Sequence, residues 1–366
     1  MTPAAPIGAR EVAARFALGA DVVSIASHGA GHINETYEVG VRGDEGRNRR
    51  FIVQQLNRTI FHDPEAVIRN ADRVLAHLEE VVREEGGDPR REVPTLVLSD
   101  DGRSFVRDRN GEIWRCFARI EGVSAHATIG DPKRARTVAA AFGRFLRRMS
   151  GFPADRLEVT IPGFHDANAV LLAYRDAVCL DPLGRAAATA VEHRFIEHHV
   201  DLTAQWVEWL SSARAPLRPI HNDTKASNVL IDDESGRGLC VIDLDTVMAG
   251  FALIDIGDCA RSVLTGPEEA GRPIDLGLFE AVVRGFVDEA GGLLSGQEYE
   301  RIVFATRAIA LELGTRFLTD YLAGDRWFPA SRPEENLERC RVQLNLVRGL
   351  EAHAAELEEI VERARR

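Results

Sequence analysis

Apolar residues recur along this chain with two different periods, and the change from one to the other divides it near residue 120. Before that point, short alternating runs at 22–25, 36–41, 51–56, 93–99, 104–108 and 113–120 predict β-strands separated by Gly, Asp and Asn turns. A short amphipathic helix is predicted at 8–18, stopped by Gly19. One long helix interrupts the strands. Asp63-Pro64-Glu65 gives a capping residue, a proline at the first helical position and an acid in the first turn. Val67, Ile68, Val74, Leu75, Leu78 and Val82 carry that helix to about residue 85.

After residue 120 the helical period dominates. A second Asp-Pro start at Asp131-Pro132 opens a helix to about 149, with Val138, Phe142, Phe145, Leu146 and Met149 on its apolar stripe. Helices follow at 166–178, 186–212, 255–264, 274–290, 298–322 and 333–363, and the only clear strands there are the two in the stretch 219–245. The pattern predicts an α+β protein. A small antiparallel-sheet lobe with one helix spans 1–119, and a larger, mainly helical lobe spans 120–366. The boundary is expected near residues 117–124, with 117–122 as a connecting hinge.

The stretch 219–245 interrupts the helical part with polar residues at fixed spacing. His221-Asn222-Asp223 is followed by Lys225 and Asn228, then two apolar runs joined by a turn at 235–238 and ending in Asp243. Four fixed positions in H-x-D-x-K-x-x-N match by chance in a chain of this length with odds on the order of 0.002. The order is that of a kinase catalytic loop. Phosphoryl transfer requires alignment of an acceptor hydroxyl, acceptance of its proton and neutralisation of phosphate charge. Asp223 is the candidate base. Asn228 and Asp243 offer one neutral and one anionic hard oxygen for Mg²⁺, and Lys225 is a point charge for the phosphoryl group.

Charge and composition narrow the partners. The net charge of −12 argues against nucleic-acid binding. No apolar run approaches the length of a membrane span, and the N-terminus lacks a signal pattern, so a cytoplasmic protein without an obligate protein partner is expected. Five scattered cysteines without C-x-x-C spacing indicate neither a disulfide framework nor a zinc site. Of the 45 basic residues only Lys133 and Lys225 are lysines, and one of the two lies in the candidate loop.

The run H-N-D-T-K-A-S-N-V-L-I-D followed by V-I-D-L-D-T-V-M-A-G resembles the protein-kinase-like small-molecule phosphotransferases, the superfamily of aminoglycoside phosphotransferases and choline kinases. Within it, the run is most similar to the N-acetylhexosamine 1-kinase group. G-H-I-N-E-T-Y at 31–37, Q-Q-L-N at 54–57 and E-L-G-T-R-F-L-T-D-Y-L-A-G-D at 312–325 agree, so the resemblance touches nearly the whole chain. It implies a bilobal kinase-like fold using ATP and Mg²⁺, with Asp223 as base and Asn228 and Asp243 as metal ligands. It also implies that the turn from Gly29 through Gly31 to Asn34 covers the phosphates. Read without the resemblance, that segment is better taken as a plain hairpin turn. Phe117 and Ile120 would border the adenine at the hinge.

One departure is plain. Related kinases place a lysine on the third strand, whereas this lobe has none and Gln54 holds the comparable place. Phosphate contacts then fall to Gln54, backbone N–H groups, an arginine such as Arg50 or Arg58, and Lys225.

For the acceptor, Glu312, Arg316 and Asp320 recur every four residues on one face of an apolar helix, with Tyr321 beside them. Glu312, Arg316 and Tyr321 are candidate substrate contacts, joined by Asp245, His32 and the pair His165-Asp166. The expected function is an ATP-dependent sugar kinase that phosphorylates the anomeric hydroxyl of an N-acetylhexosamine or related hexose. Two alternatives stand beside it: a phosphotransferase for aminoglycosides or other small hydroxyl compounds, and a nucleotide-binding pseudokinase.

Overall fold

The computed structural model describes residues 7–28, 33–42, 48–212, 216–266 and 273–366. The chain divides into two compact units. The first comprises Met1–Val123 together with Asp155–Ile161 and Cys240–Val247, and the second comprises the remainder.

The first unit is built from helix α1 (Ile7–Ala13), strands β1 (Val22–Ser27), β2 (Glu35–Val41) and β3 (Arg49–Gln55), helix α2 (Pro64–Glu84), the single turn α3 (Pro89–Glu92), and strands β4 (Val106–Arg107) and β5 (Ile113–Ala118). The strands form one antiparallel sheet in the order β1-β2-β3-β5-β4. Alternation sends Tyr37, Val39, Phe51, Val53, Trp114 and Cys116 into one core with Ala9, Val12 and Phe16. The other face of β3 and β5 is thereby left to Gln54 and Arg115, which sit opposite each other in register. Leu56, Phe61, Val67, Ile68 and Ile113 form a second cluster that holds α2. The predicted cap of α2 is present, with the Asp63 carboxylate accepting from the N–H groups of Glu65 and Ala66.

Two expectations in this unit differ from the structure. The helix predicted at 8–18 ends at Ala13, and Phe16 instead makes an isolated bridge to Ser99. Residues 93–99 form no continuous strand. They follow β5 through single contacts such as the N–H of Val97 to the carbonyl of Cys116 (2.8 Å). Pro94, lacking an N–H, interrupts the ladder.

Strand β6 (Val123–Ser124) leads into the second unit. There follow α4 (Pro132–Met149), α5 (Ala167–Leu180), α6 (Ala190–His198), α7 (Val200–Leu210), β7 (Arg218–Ile220), β8 (Val229–Asp232), β9 (Gly238–Val241), β10 (Met248–Gly250), α8 (Ala252–Thr265), α9 (Leu276–Ala290), α10 (Gly296–Tyr299), α11 (Ile302–Ala323), α12 (Glu335–Ala352) and α13 (Ala354–Arg365). Helices α4 and α9 approach closely because each presents a glycine. A Cβ on Gly143 would strike the carbonyl of Phe286, and one on Gly285 that of Arg136.

The helix expected at 186–212 is broken at His199, whose Nδ1 faces the carbonyl of Phe195 at 2.7 Å. The one expected at 333–363 is broken at His353. Two further short strands, β7 and β10, pair antiparallel with Ile220 opposite Met248, which corrects the expectation of only two strands in this half. Four cysteines are buried and Cys179 is exposed; none of the five forms a disulfide, and burial pushes the Cys116, Cys259 and Cys340 thiols up. Among the described residues no helix is long and apolar enough to cross a membrane.

Candidate active site

The loop His221–Asn228 leaves β7 with its backbone held from α8. The His221 ring is fully buried, edge-on to Phe142 and Phe145 of α4, with ring centroids 5.4 and 5.6 Å apart. Asp255 accepts the backbone N–H groups of His221 (2.9 Å) and Asn222 (2.8 Å). Three residues on, and so on the same helix face, Asp258 accepts the N–H of Thr224 (2.8 Å). The Thr224 hydroxyl donates to the carbonyl of Asp255 (2.7 Å). Burial pushes the Asp255 carboxyl up to about 6 against the pull of the His221 ring and the two N–H groups. A loop bonded this way keeps Asn222 in the left-handed region, φ 66°, a conformation that asparagine tolerates better than most residues.

The three polar side chains expected to work together do meet. Lys225 Nζ donates to Asp223 Oδ2 at 2.6 Å, and Asn228 Nδ2 donates to the same oxygen at 3.1 Å and to the Asp223 carbonyl at 2.9 Å. Burial alone would raise the Asp223 carboxyl. The Lys225 ammonium, the His221 ring and the Asn228 amide outweigh it and hold the group down at about 2. The result is an ionised carboxylate at any physiological pH, the state that a proton acceptor requires.

In the first unit, Asp243 stands in the left-handed region (φ 63°, ψ 56°), two residues after the end of β9. Asp245 is buried. Its Oδ1 accepts from Arg115 Nη1 (2.5 Å) and its Oδ2 from Asn34 Nδ2 (2.7 Å). Arg115 Nε donates to Gln54 Oε1 (3.0 Å), and Gln54 Nε2 donates to Thr36 Oγ1 (3.1 Å). The Arg115 guanidinium also lies over the Phe117 ring, 5.0 Å from its centroid. Gln54 therefore carries an arginine across the sheet face where the lysine was missed. Of the arginines first considered, Arg50 is engaged by Glu121 and Arg58 by Glu112. Ile120 is partly exposed just after β5. Gly29, Gly31 and His32 lie outside the described residues.

On α11, Glu312 and Asp320 are both buried but do different things. Asp320 accepts the N–H groups of Arg326 (2.8 Å), Trp327 (2.9 Å) and Phe328 (2.8 Å), which folds that loop back over the helix. Phe328 then packs on Phe317, and Arg316 lies over the rings of Phe164 and Phe328. Arg316 Nη1 is 4.0 Å from Glu312 Oε1. Glu312 Oε1 faces His165 Nδ1 at 3.1 Å, and His165 Nε2 faces the carbonyl of Asn222 at 3.0 Å. Tyr321 is buried beneath the guanidinium of Arg185.

Sequence reading missed Arg115, Asp255 and Asp258. Each had a signal: an arginine inside the apolar run I-W-R-C-F-A, and two acids in the apolar helix segment L-I-D-I-G-D-C-A. A charge placed among apolar neighbours needs a partner.

A model of the phosphotransferase enzyme family matches residues 24–289. Among solved structures, the chain is similar to an aminoglycoside phosphotransferase from Alicyclobacillus acidocaldarius (TM-score 0.65, 17% identity, 98% of each chain covered). It is also similar to a microcompartment-associated aminopropanol kinase (TM-score 0.56, 17% identity, covering 96% of this chain and 98% of that one). A third is a spectinomycin phosphotransferase in complex with ADP and spectinomycin (TM-score 0.55, 12% identity, covering 95% and 94%). At such identities the likeness is one of fold.

Proposed function

The chain belongs to the phosphotransferase enzyme family, and from that premise we propose that it phosphorylates the anomeric hydroxyl of an N-acetylhexosamine or related hexose. It is a small-molecule kinase with ATP as donor and Mg²⁺ as the metal. The observation that carries the reading is the meeting of Asp223, Lys225 and Asn228 in one loop, with Asp223 kept ionised.

The donor set fits the metal. The Asn228 amide nitrogen is committed to Asp223, so its carbonyl oxygen is the atom left to ligate. Asn228 and Asp243, assigned as the ligands by their place in the motif, give Mg²⁺ the hard oxygens that it prefers. When bound, the metal neutralises phosphate charge.

Asp223 accepts the proton of the acceptor hydroxyl as its oxygen attacks phosphorus. Lys225 holds that carboxylate ionised and in place. On the donor side, Gln54 and Asn34 are the side chains assigned to phosphate contacts, with backbone N–H groups of the segment 29–31, and Phe117 and Ile120 to the adenine. Glu312, Arg316 and Tyr321 are assigned to the sugar, with His32 as a further candidate. Asp245 was a candidate too, but its two oxygens accept from Arg115 and Asn34. We assign it instead to holding Arg115, the cation that stands beside Gln54.

An amine-bearing acceptor is the second reading, favoured by the net charge of −12. An ATP-consumption screen over free hexoses, N-acetylhexosamines and aminoglycosides, with phosphorus NMR on each product, tests both. The sugar 1-kinase reading expects an anomeric phosphate. A phosphate on any other hydroxyl rejects it.

A further inference from the structure

Glu312 is a buried carboxylate with one oxygen unaccounted for. Oε1 faces His165, whereas Oε2 is buried with no hydrogen-bond partner. Leaving a buried charged acceptor unsatisfied costs more than an ordinary hydrogen bond gains. A buried acceptor with no protein donor is open to one from water, an ion or a bound ligand.

The other end of this arrangement is the catalytic loop. His165 Nε2 lies 3.0 Å from the carbonyl of Asn222, the residue immediately before Asp223. Both ring nitrogens thus face oxygen acceptors, a carboxylate and a carbonyl. A neutral imidazole has one donor only, so the ring satisfies both when it carries two protons. His165 and Asn222 both adopt the left-handed backbone conformation (φ 61° and 66°), so the contact is maintained by two backbone segments in sparsely populated conformations.

We propose that Glu312 and His165 form a buried acceptor relay: Oε2 of Glu312 takes a hydroxyl or ammonium donor of the acceptor, and His165 ties Oε1 to the carbonyl of Asn222. The seated acceptor and the loop that aims Asp223 are thereby joined through one ring. Glu312 is the specificity residue and His165 a positioning residue. The inference rests on the small-molecule kinase reading above and names the contact by which that site reads its acceptor.

The electrostatics agree with the geometry. Burial would lower the His165 ring, but the charge and hydrogen bond of Glu312 and the Asn222 carbonyl raise it above its ordinary value, with Arg316 opposing. Glu312 and Arg316 are the charged groups that act on the ring from α11, and the loop presents the Asn222 carbonyl to it.

The test has two arms on the 366-residue chain. In the first, ring NMR of the wild type, with the His165 signal assigned by its loss in His165→Asn, follows the titration. Asparagine is the replacement because it tolerates the left-handed backbone. The ring is expected to titrate above its ordinary value and to fall in Glu312→Gln; a ring at or below that value in the wild type overturns the relay whatever the acceptor.

In the second arm, Glu312→Gln should raise acceptor KM by about 10- to 100-fold, the loss of a charge-assisted hydrogen bond, with ATP KM unchanged. His165→Asn should lower kcat by about 10- to 100-fold through misplacement of Asp223 and remove the alkaline decline in kcat that loss of the second His165 proton should give the wild type. Comparing a hexose with its amino analogue separates a hydroxyl from an ammonium donor. Unchanged acceptor KM in Glu312→Gln, or ATP KM rising as much as acceptor KM, overturns the relay and leaves the kinase reading intact. A wild-type protein that phosphorylates no sugar or amine defeats the kinase reading before any variant is compared, and the NMR arm still decides the His165 link.

Discussion

Arg115 Nη1 lies 2.5 Å from Asp245 Oδ1, with both side chains all but excluded from solvent, at 2% and 3% exposure. A charge pair this deep is held by its remaining hydrogen bonds, here from Arg115 to Gln54 and from Asn34 to Asp245. Removing one partner strands the other. Arg115→Met or Asp245→Asn should each cost about 3–5 kcal/mol of stability, and the double variant less than the sum. Urea denaturation of the four proteins measures this; additive losses would mean that the pair is not coupled.

Asp223→Asn should lower kcat by about 10²- to 10⁴-fold, the usual worth of a positioned base, while the far-UV circular dichroism spectrum stays that of wild type.

Lys225→Met bears on the same carboxylate in a different way. With the ammonium gone, burial is opposed only by the His221 ring and the Asn228 amide, so the Asp223 carboxyl rises from about 2. The acid limb of kcat/KM against pH should therefore move upward in Lys225→Met. An unmoved acid limb would show that Lys225 does not set the charge of Asp223.

Asp255 and Asp223 should pull stability in opposite directions as pH changes. The Asp255 carboxyl is raised from 3.8 to about 6, so the fold binds its proton more tightly than the unfolded chain does. Its contribution is fully present below 3.8 and is lost as pH rises through about 6. Asp223, lowered from 3.8 to about 2, contributes above 3.8 and loses that contribution as pH falls towards 2. Asp255→Asn does not titrate. Relative to wild type, its stability should climb between pH 4 and 6.5, which denaturation midpoints across that range will register.

Gly143→Ala should destabilise the second unit by about 1–3 kcal/mol through overpacking, because the new methyl meets the Phe286 backbone carbonyl rather than a movable side chain. An alanine at an open glycine such as Gly130 serves as the control, with no neighbour within 4 Å. Thermal unfolding compares them.

The sequence by itself determined what depends on short-range spacing. Strand alternation, the Asp-Pro caps of α2 and α4, and the loop order of Asp223, Lys225 and Asn228 are local patterns, readable because neighbours in the chain remain neighbours in space. It also pointed to Gln54 as the residue standing where a lysine was expected.

Only the tertiary structure decided the partners that come from far along the chain. Asp255 and Asp258 reach back about thirty residues to hold the His221–Asn228 loop. Arg115 meets an aspartate 130 positions away, and Glu312 meets His165 across 147. Spacing along the chain carries no information about such pairs. The ladder of Glu312, Arg316 and Asp320 marks the limit: the sequence put all three on one helix face, yet Asp320 organises a loop while Glu312 keeps an oxygen open. Which of the two has a spare hydrogen-bond site depends on which backbone N–H groups folding brings to it.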